Sequence, residues 1–318
     1  MTIDGKQDLR LRGVTKWTAR MVPTMTAAVG TAAVVIHDSR DIDVKWLAVH
    51  VPSSGRGGIC DYLTRGVLAR GSTRVTVDQN LFAGVGTDTR DCGLVVGVFL
   101  DSVKGALLTS NVVQDFVGHG LWMEYSTGTI SHNQVRYLHP RDPAGDPTDT
   151  VGILAEHGIA AITSNWVRGS ATDAHADRWI DTGVRVQDGT FLVAKNAVHH
   201  TGVGISAVEV RPASGGSASR VSFNTITSGS RDGIRLESSS GARLAGNRVT
   251  GFSGSGLVAA DSHGSTVVGN QVLHGGEVHG LDCRDDSTGA GTAGTDNTWT
   301  SNVGVDSDPT GLCSPASS

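Results

Sequence analysis

Asp101, Glu124 and Glu156 are the residues whose types and spacing most directly suggest chemistry. Each stands four residues after a glycine (Gly97, Gly120 and Gly152), and apolar residues follow each glycine at one and three positions on. Apolar residues at alternate positions describe a strand with one buried face, so the fourth residue points away from the core. If the three strands are neighbours, their carboxyl groups stack about 5 Å apart. Like charges so placed raise one another's pKa or call for a cation. In one chemistry the three carboxylates hold Ca²⁺, which binds a substrate uronate and acidifies its C5 proton. Arg70, Arg185 or a loop histidine is then the base. In the other, Asp101 and Glu124 form a retaining pair, or Asp101 and Glu156 an inverting one. Arg70 and Arg185 flank the row, and Phe99 and Trp122 lie beside it as flat apolar rings suited to a sugar face. The bland alternative is a solvated sheet exterior on which three acids fall in line by chance.

The elements that must position these residues repeat along the chain. Nine repeats start at Gly66, Gly97, Gly120, Gly152, Gly183, Gly204, Gly233, Gly256 and Gly280, each with apolar residues one and three positions on, ending with Leu281 and Cys283. Each repeat then carries an asparagine: Asn80, Asn111, Asn133, Asn165, Asn196, Asn224, Asn247, Asn270 and Asn302. An apolar residue or Trp299 precedes each asparagine by three positions. Periods run from 21 to 32 residues, and the excess sits in inserted loops. A coil of just over twenty residues with several short strands is the signature of a parallel β-helix. Equivalent residues then line up in ladders. The asparagines are expected at a bend in the left-handed backbone region, with their amides hydrogen-bonded from coil to coil. Two half-repeats fit upstream, around Leu9–Val14 and Val34–Val49. The expected architecture is all-β: one solenoid domain over residues 1–318, clear repeats over about 30–305, and a tail or cap at 306–318, in about ten coils.

Composition agrees and narrows the partners. Glycine is 43 of 318 residues, about twice the usual share, which suits short strands and many turns rather than a helical bundle. The net charge is −5 with no Lys/Arg run, so nucleic acid is not expected as a partner. No apolar run reaches the roughly 18 residues a membrane helix needs. Met21–Ile36 loosely resembles a signal h-region, but Pro23 and its threonines argue against that. The chain opens as if in mid-coil, so an upstream signal peptide and N-terminal cap are expected to precede it.

The repeats resemble the right-handed parallel β-helix proteins of the pectate-lyase-like superfamily, and are similar to the Gly-Ile-x-Leu…Asn-x-Ile repeats of periplasmic copper-site and carbohydrate-binding members. The resemblance covers about residues 30–305. The tail from Asp296 through Cys313 resembles the ends of secreted actinobacterial β-helix proteins. Family catalytic motifs match sparsely. Gly118-His119-Gly120 matches the Gly-His-Gly of polygalacturonases, whose other motifs do not occur here, so His119 reads as a coil-corner residue. The Arg-x-Pro-x-x-Arg of pectate lyases is missing, and Asp142-Pro143 is half of an epimerase motif. His199-His200 reads as an exposed turn.

Cys60 and Cys92 precede Gly66 and Gly97 by six and five residues, nearly the same place on adjacent coils, which suits a disulfide. Cys283 and Cys313 could tie the last coil to the tail. Four free thiols are the alternative, but two pairs favour an oxidising compartment. Long loops run from Phe82 to Val96, Val135 to Val151 and Val167 to Thr182, each just before a first strand. They carry His139, Arg141, His175 and Trp179, candidate substrate-binding residues on one wall of a groove. The function expected is a secreted, monomeric, carbohydrate-active protein acting on a polysaccharide as lyase, epimerase or glycoside hydrolase. The alternative is a non-catalytic extracellular module that binds carbohydrate or cell-wall polymer. Leu100, Ile153 and Ile234 are expected in the core, and the outward Val258 in solvent.

Overall fold

The structure, a computed structural model, describes residues 1–17, 19–21, 32–52, 64–85, 94–137, 150–169, 180–212, 218–273 and 280–316. Two compact units divide the chain, Met1–Ala160 and Ala161–Ser318. Each is a parallel β-helix: successive strands of a coil go to three different sheets, and each strand pairs with its counterpart one coil away.

In the N-terminal unit the first sheet runs Thr2–Asp4, Ala32–His37, Thr64–Arg70, Leu94–Asp101, Phe116–Glu124, Val151–Glu156. In the C-terminal unit it runs Thr182–Gln187, Val203–Val208, Ile234–Glu237, Leu257–Ala260, Cys283–Asp285, Ser307–Asp308. The upstream half-repeats are in fact whole coils, since Gln7–Arg12 and Arg40–Lys45 occupy the second sheet and Ala19–Met21 and Leu47–Pro52 the third. Leu100, Ile153 and Ile234 are fully buried, as the alternation requires.

The repeated glycine answers to close packing. A Cβ on Gly97 would lie 2.6 Å from both the Gly120 carbonyl oxygen and the Val113 side chain, and one on Gly233 would lie 2.5 Å from the Gly256 oxygen. Each coil's backbone fills the space that a side chain on the coil before it would need.

The same contacts correct the last repeat. A Cβ on Gly256 would meet the carbonyl of Asp282, and Leu257 pairs with Cys283. The glycine position of that coil is therefore Asp282, not Gly280, and the strand is displaced by two residues. Asp285 consequently faces the core, 4% exposed. Trp299 Nε1 donates to it at 2.7 Å and Asn297 Nδ2 at 3.0 Å, which satisfies the buried carboxylate. Cys283 bonds Cys313 with their Cα atoms 6.1 Å apart, fastening the last coil to the tail. Cys60 and Cys92 lie outside the described residues.

The asparagines form hydrogen-bonded rows. In the N-terminal unit Asn80 Nδ2 donates to Asn111 Oδ1, and Asn111 to Asn133, both at 3.0 Å. In the C-terminal unit the row runs from Asn165 through Asn196, Asn224, Asn247 and Asn270 to Asn302 at 2.9–3.0 Å. The left-handed residue is not the asparagine but the one before it: Gln79, Ser110, His132, Ser164, Lys195, Phe223, Gly246, Gly269 and Ser301, with φ of 55–62°. The bend thus precedes the amide and aims it along the solenoid, where its oxygen also accepts a backbone N–H, as Asn111 does from Asn80.

Candidate functional site

Pairing in the first sheet of the N-terminal unit is in register across four coils: Arg70 with Asp101, Asp101 with Glu124, and Glu124 with Glu156. The three carboxylates therefore form a row, and all are part-exposed. Arg70 Nε lies 3.2 Å from Asp101 Oδ2, and Trp122 Nε1 donates to Glu156 Oε2 at 3.0 Å. Both outer acids thus have a fixed partner. Burial first, then Glu156 and Asp101 on either side, hold the Glu124 carboxyl above the usual carboxylate range.

The rings beside the row differ from their expected roles. Phe99 stacks on Trp122 at 4.2 Å between centroids but is only 3% exposed. It supports the indole rather than offering a surface of its own. His119 approaches Trp122 edge-on at 4.9 Å. It is no corner residue; it sits within Phe116–Glu124, paired with Val96 and Val151. The rest of this column is also withdrawn from solvent, with Leu68 at 5% and Leu154 at 3%. In the C-terminal unit the same holds for Ser206 at 5% and Val258 at 3%, so Val258 is a buried residue on the sheet's outer face.

A second ring pair lies on the other side of the acids. Tyr125 and His157 immediately follow Glu124 and Glu156 and stack at 4.6 Å, with Tyr125 57% exposed. Both occupy the left-handed region, at φ 47° and 53°. That column otherwise holds Gly5, Asp38, Gly71, Ser102, Asp188, Glu209, Ser238 and Asp261, glycine or polar residues throughout and no other ring. A bulky tyrosine there is strained by about 1 kcal/mol or more. The ring-bearing residues in that column, Tyr125 and His157, are the signal of this pair that the sequence carries. Along the strand the order is Trp122, the acids, then the Tyr125–His157 stack.

Arg185 belongs to the C-terminal unit, half-buried on Thr182–Gln187 and in register with Ser206. His139, Arg141, His175 and Trp179 lie outside the described residues. Of the other loop groups, Tyr137 is buried and donates to the Phe116 carbonyl, while Asp181 accepts from Arg231. His199 and His200 are half-buried in Ala197–Thr201 rather than exposed at a turn, and burial lowers the pKa of both. Among the described residues no group of three or more His, Cys, Asp or Glu side chains is placed to hold a metal ion. No helix among them is long and apolar enough to cross a membrane.

The ladder and its three parallel sheets set the frame for comparison with known proteins. The family model described as a right handed beta helix region matches residues 152–311, half of the chain. The chain belongs to this right-handed β-helix family. A search of curated proteins finds no match. Among solved structures, this β-helix is similar to the Dettilon tailspike protein at 15% identity and a TM-score of 0.61, over 95% of this chain and 58% of that one. It is similar also to the periplasmic alginate epimerase AlgG, at 14% identity and a TM-score of 0.56, over 95% of this chain and 74% of the epimerase. The β-helix described here thus spans less than two thirds of the tailspike chain. At such identities the likeness is one of fold.

Proposed function

We propose that the protein acts on a polysaccharide bound on the outer face of the first sheet of its N-terminal unit, hydrolysing a glycosidic bond at the acid row. The carrying observation is the in-register row Asp101–Glu124–Glu156 set between Trp122 and the Tyr125–His157 stack. Rings on both sides offer apolar faces to sugar rings, and the carboxyls between them supply acid and base. Glu124, whose pKa is raised, is the general acid that protonates the departing glycosidic oxygen. Glu156, oriented by the Trp122 indole, is one strand spacing away, about 5 Å, the separation of a retaining pair. It attacks the anomeric carbon as the C–O bond breaks and the leaving alcohol takes the proton of Glu124. Water then cleaves the glycosyl ester, with the Glu124 carboxylate accepting its proton.

The name of one structural neighbour, the alginate epimerase, supports a glycan as the ligand class. The Cys283–Cys313 bond supports secretion into an oxidising compartment. A non-catalytic glycan-binding module is the second reading, favoured by the prior engagement of both outer acids, by Arg70 and by the Trp122 indole. Incubation with a polysaccharide panel, with and without EDTA, separates these readings. New reducing ends, insensitive to EDTA and lost in Glu124→Gln, are expected. Unsaturated products absorbing in the ultraviolet would indicate a lyase, and binding without products would leave the module.

A further inference from the structure

A cation near this site has no hydrogen-bond acceptor or carboxylate partner among the described residues. Arg65 lies at the opening of Thr64–Arg70, opposite Val96, which in turn pairs with His119. Its guanidinium carbon sits 5.3 Å from the centre of the Phe99 ring, the ring on which Trp122 stacks. Val96, Phe99 and Leu68 form a buried apolar cluster beside it. Its Nε is buried and, among the described residues, neither a hydrogen-bond acceptor nor a carboxylate serves it. Burial, and secondarily Arg70, push its pKa down. Arg70 differs in having Asp101 at 3.2 Å.

The ring contact does not account for Arg65. A cation–π contact engages the face of the guanidinium and leaves its N–H donors unserved, and the buried Nε of the half-buried Arg65 is one of them. Arginine is also the side chain best shaped to grip a planar or tetrahedral oxyanion with two parallel N–H bonds. Its place relative to the acids is fixed by register. Five residues separate Arg65 from Arg70, the partner of Asp101, about 16 Å at strand rise. Phe99 and Trp122 fill the interval. The face therefore reads, along the strand, as cation, rings, acids, rings.

We infer that Arg65 is a specificity-determining residue that binds an anionic substituent, a carboxylate or a sulfate, on a glycan lying across this face from Arg65 to Glu124. The inference rests on the acid row being a glycan site. It adds that the glycan is acidic, and that the charge recognised lies on a sugar removed from the bond that reacts.

Calorimetry on Glu124→Gln protein, in which turnover is suppressed, tests this with two matched pairs of oligosaccharides. One pair is a polyuronate fragment and its carboxyl-reduced counterpart; the other is a sulfated fragment and its desulfated counterpart. The charged member of at least one pair should bind tenfold or more tightly than its neutral counterpart, and the pair showing the preference identifies the anion. Adding Arg65→Gln should abolish the preference while changing affinity for the neutral fragment by less than twofold. Arg65→Lys should keep part of it and restore a stronger salt dependence. Thermal stability should change little in Arg65→Gln, because the half-buried guanidinium has no hydrogen-bond partner to lose among the described residues. A preference that survives Arg65→Gln, or equal binding of charged and neutral members, overturns the role of Arg65 and leaves the acid-row reading standing. A large fall in stability in both Arg65 variants, with the preference lost in both, would make Arg65 a packing residue and equally overturn it. No binding of any glycan would overturn both readings.

Discussion

The two units share a scaffold and differ on one face. Both stack glycine over backbone and asparagine over asparagine, and both close their cores with the same inward valines, leucines and isoleucines. On the outer face of the first sheet, the N-terminal unit stacks like on like: Asp101, Glu124, Glu156. The C-terminal unit carries Gln187, Val208, Glu237 and Ala260 in the same column. By the corrected register Asp286 follows opposite Ala260, so no two acids of that column stand on adjacent rungs. Glu237 is neutralised within its own strand by Arg235 at 2.9 Å, and Arg235 also reaches Asp232. A solenoid with no demand on its exterior settles into such local pairs. Repulsion retained across adjacent rungs is what sets the face of the N-terminal unit apart.

The largest effect should be common to both units. Asn111→Ala and Asn247→Ala each orphan at least two buried hydrogen-bonding groups, so each should cost about 3–5 kcal/mol in chemical denaturation. Clearly unequal costs would break the claim of a shared scaffold. Reducing Cys283–Cys313 opens a loop of 30 residues and should cost about 3–4 kcal/mol, felt in the C-terminal unit. Hydrogen exchange that loosens the N-terminal coils as much would contradict this.

The next comparison separates the faces. Glu124→Gln should lower turnover at least a hundredfold, about 2.7 kcal/mol. Glu237→Gln should leave turnover unchanged and cost under about 1 kcal/mol of stability, as an exposed ion pair does. Equal turnover in the two variants would reduce the acid row to a solvated face. Val258→Ala should cost about 1–3 kcal/mol because the residue is buried, although it faces away from the core. A cost near zero would restore the solvent-facing role expected of it.

The smallest effect is in pH. A carboxyl whose folded-state pKa is raised binds its proton more tightly in the native state than in the unfolded one, so stability falls as pH rises between the two values. Glu124→Gln lacks this penalty. It should be slightly more stable than wild type at pH 7, and the gap should close as pH drops below the ordinary glutamate range. Turnover should fall on the alkaline side as Glu124 loses its proton. A stability gap independent of pH would remove the cause assigned to the shift.

Ladders are what the sequence displayed most clearly. Stacking puts each residue against its own counterpart, so a position that tolerates only glycine, or only asparagine, recurs visibly. The acid row was legible for the same reason. Register failed at the last coil, where Gly280 and Leu281 mimic a start and the true glycine position is filled by Asp282. The left-handed bend was misplaced by one residue because asparagine is the usual occupant of that conformation, yet here its amide is needed for the row. Burial on the outer face was hidden because alternation distinguishes two sides of a sheet but not what lies over each. Arg65 escaped notice since its isolation is a property of three-dimensional surroundings, with no spacing to announce it.

The asparagine row has a direction. In each pair the earlier coil supplies the N–H and the later one the oxygen, from Asn165 on to Asn302 in the C-terminal unit. Side-chain amide dipoles so aligned add rather than cancel, as peptide dipoles do along an α-helix, and the positive end points toward the C-terminal coils. Those are the coils in which Asp282 and Asp285 are buried at 0% and 4% exposure. A carboxylate interred at that end sits in a favourable field, and one interred at the Asn165 end would not. The row is thus a source of polarity for the solenoid, and it makes one end of that unit the cheaper place to bury negative charge.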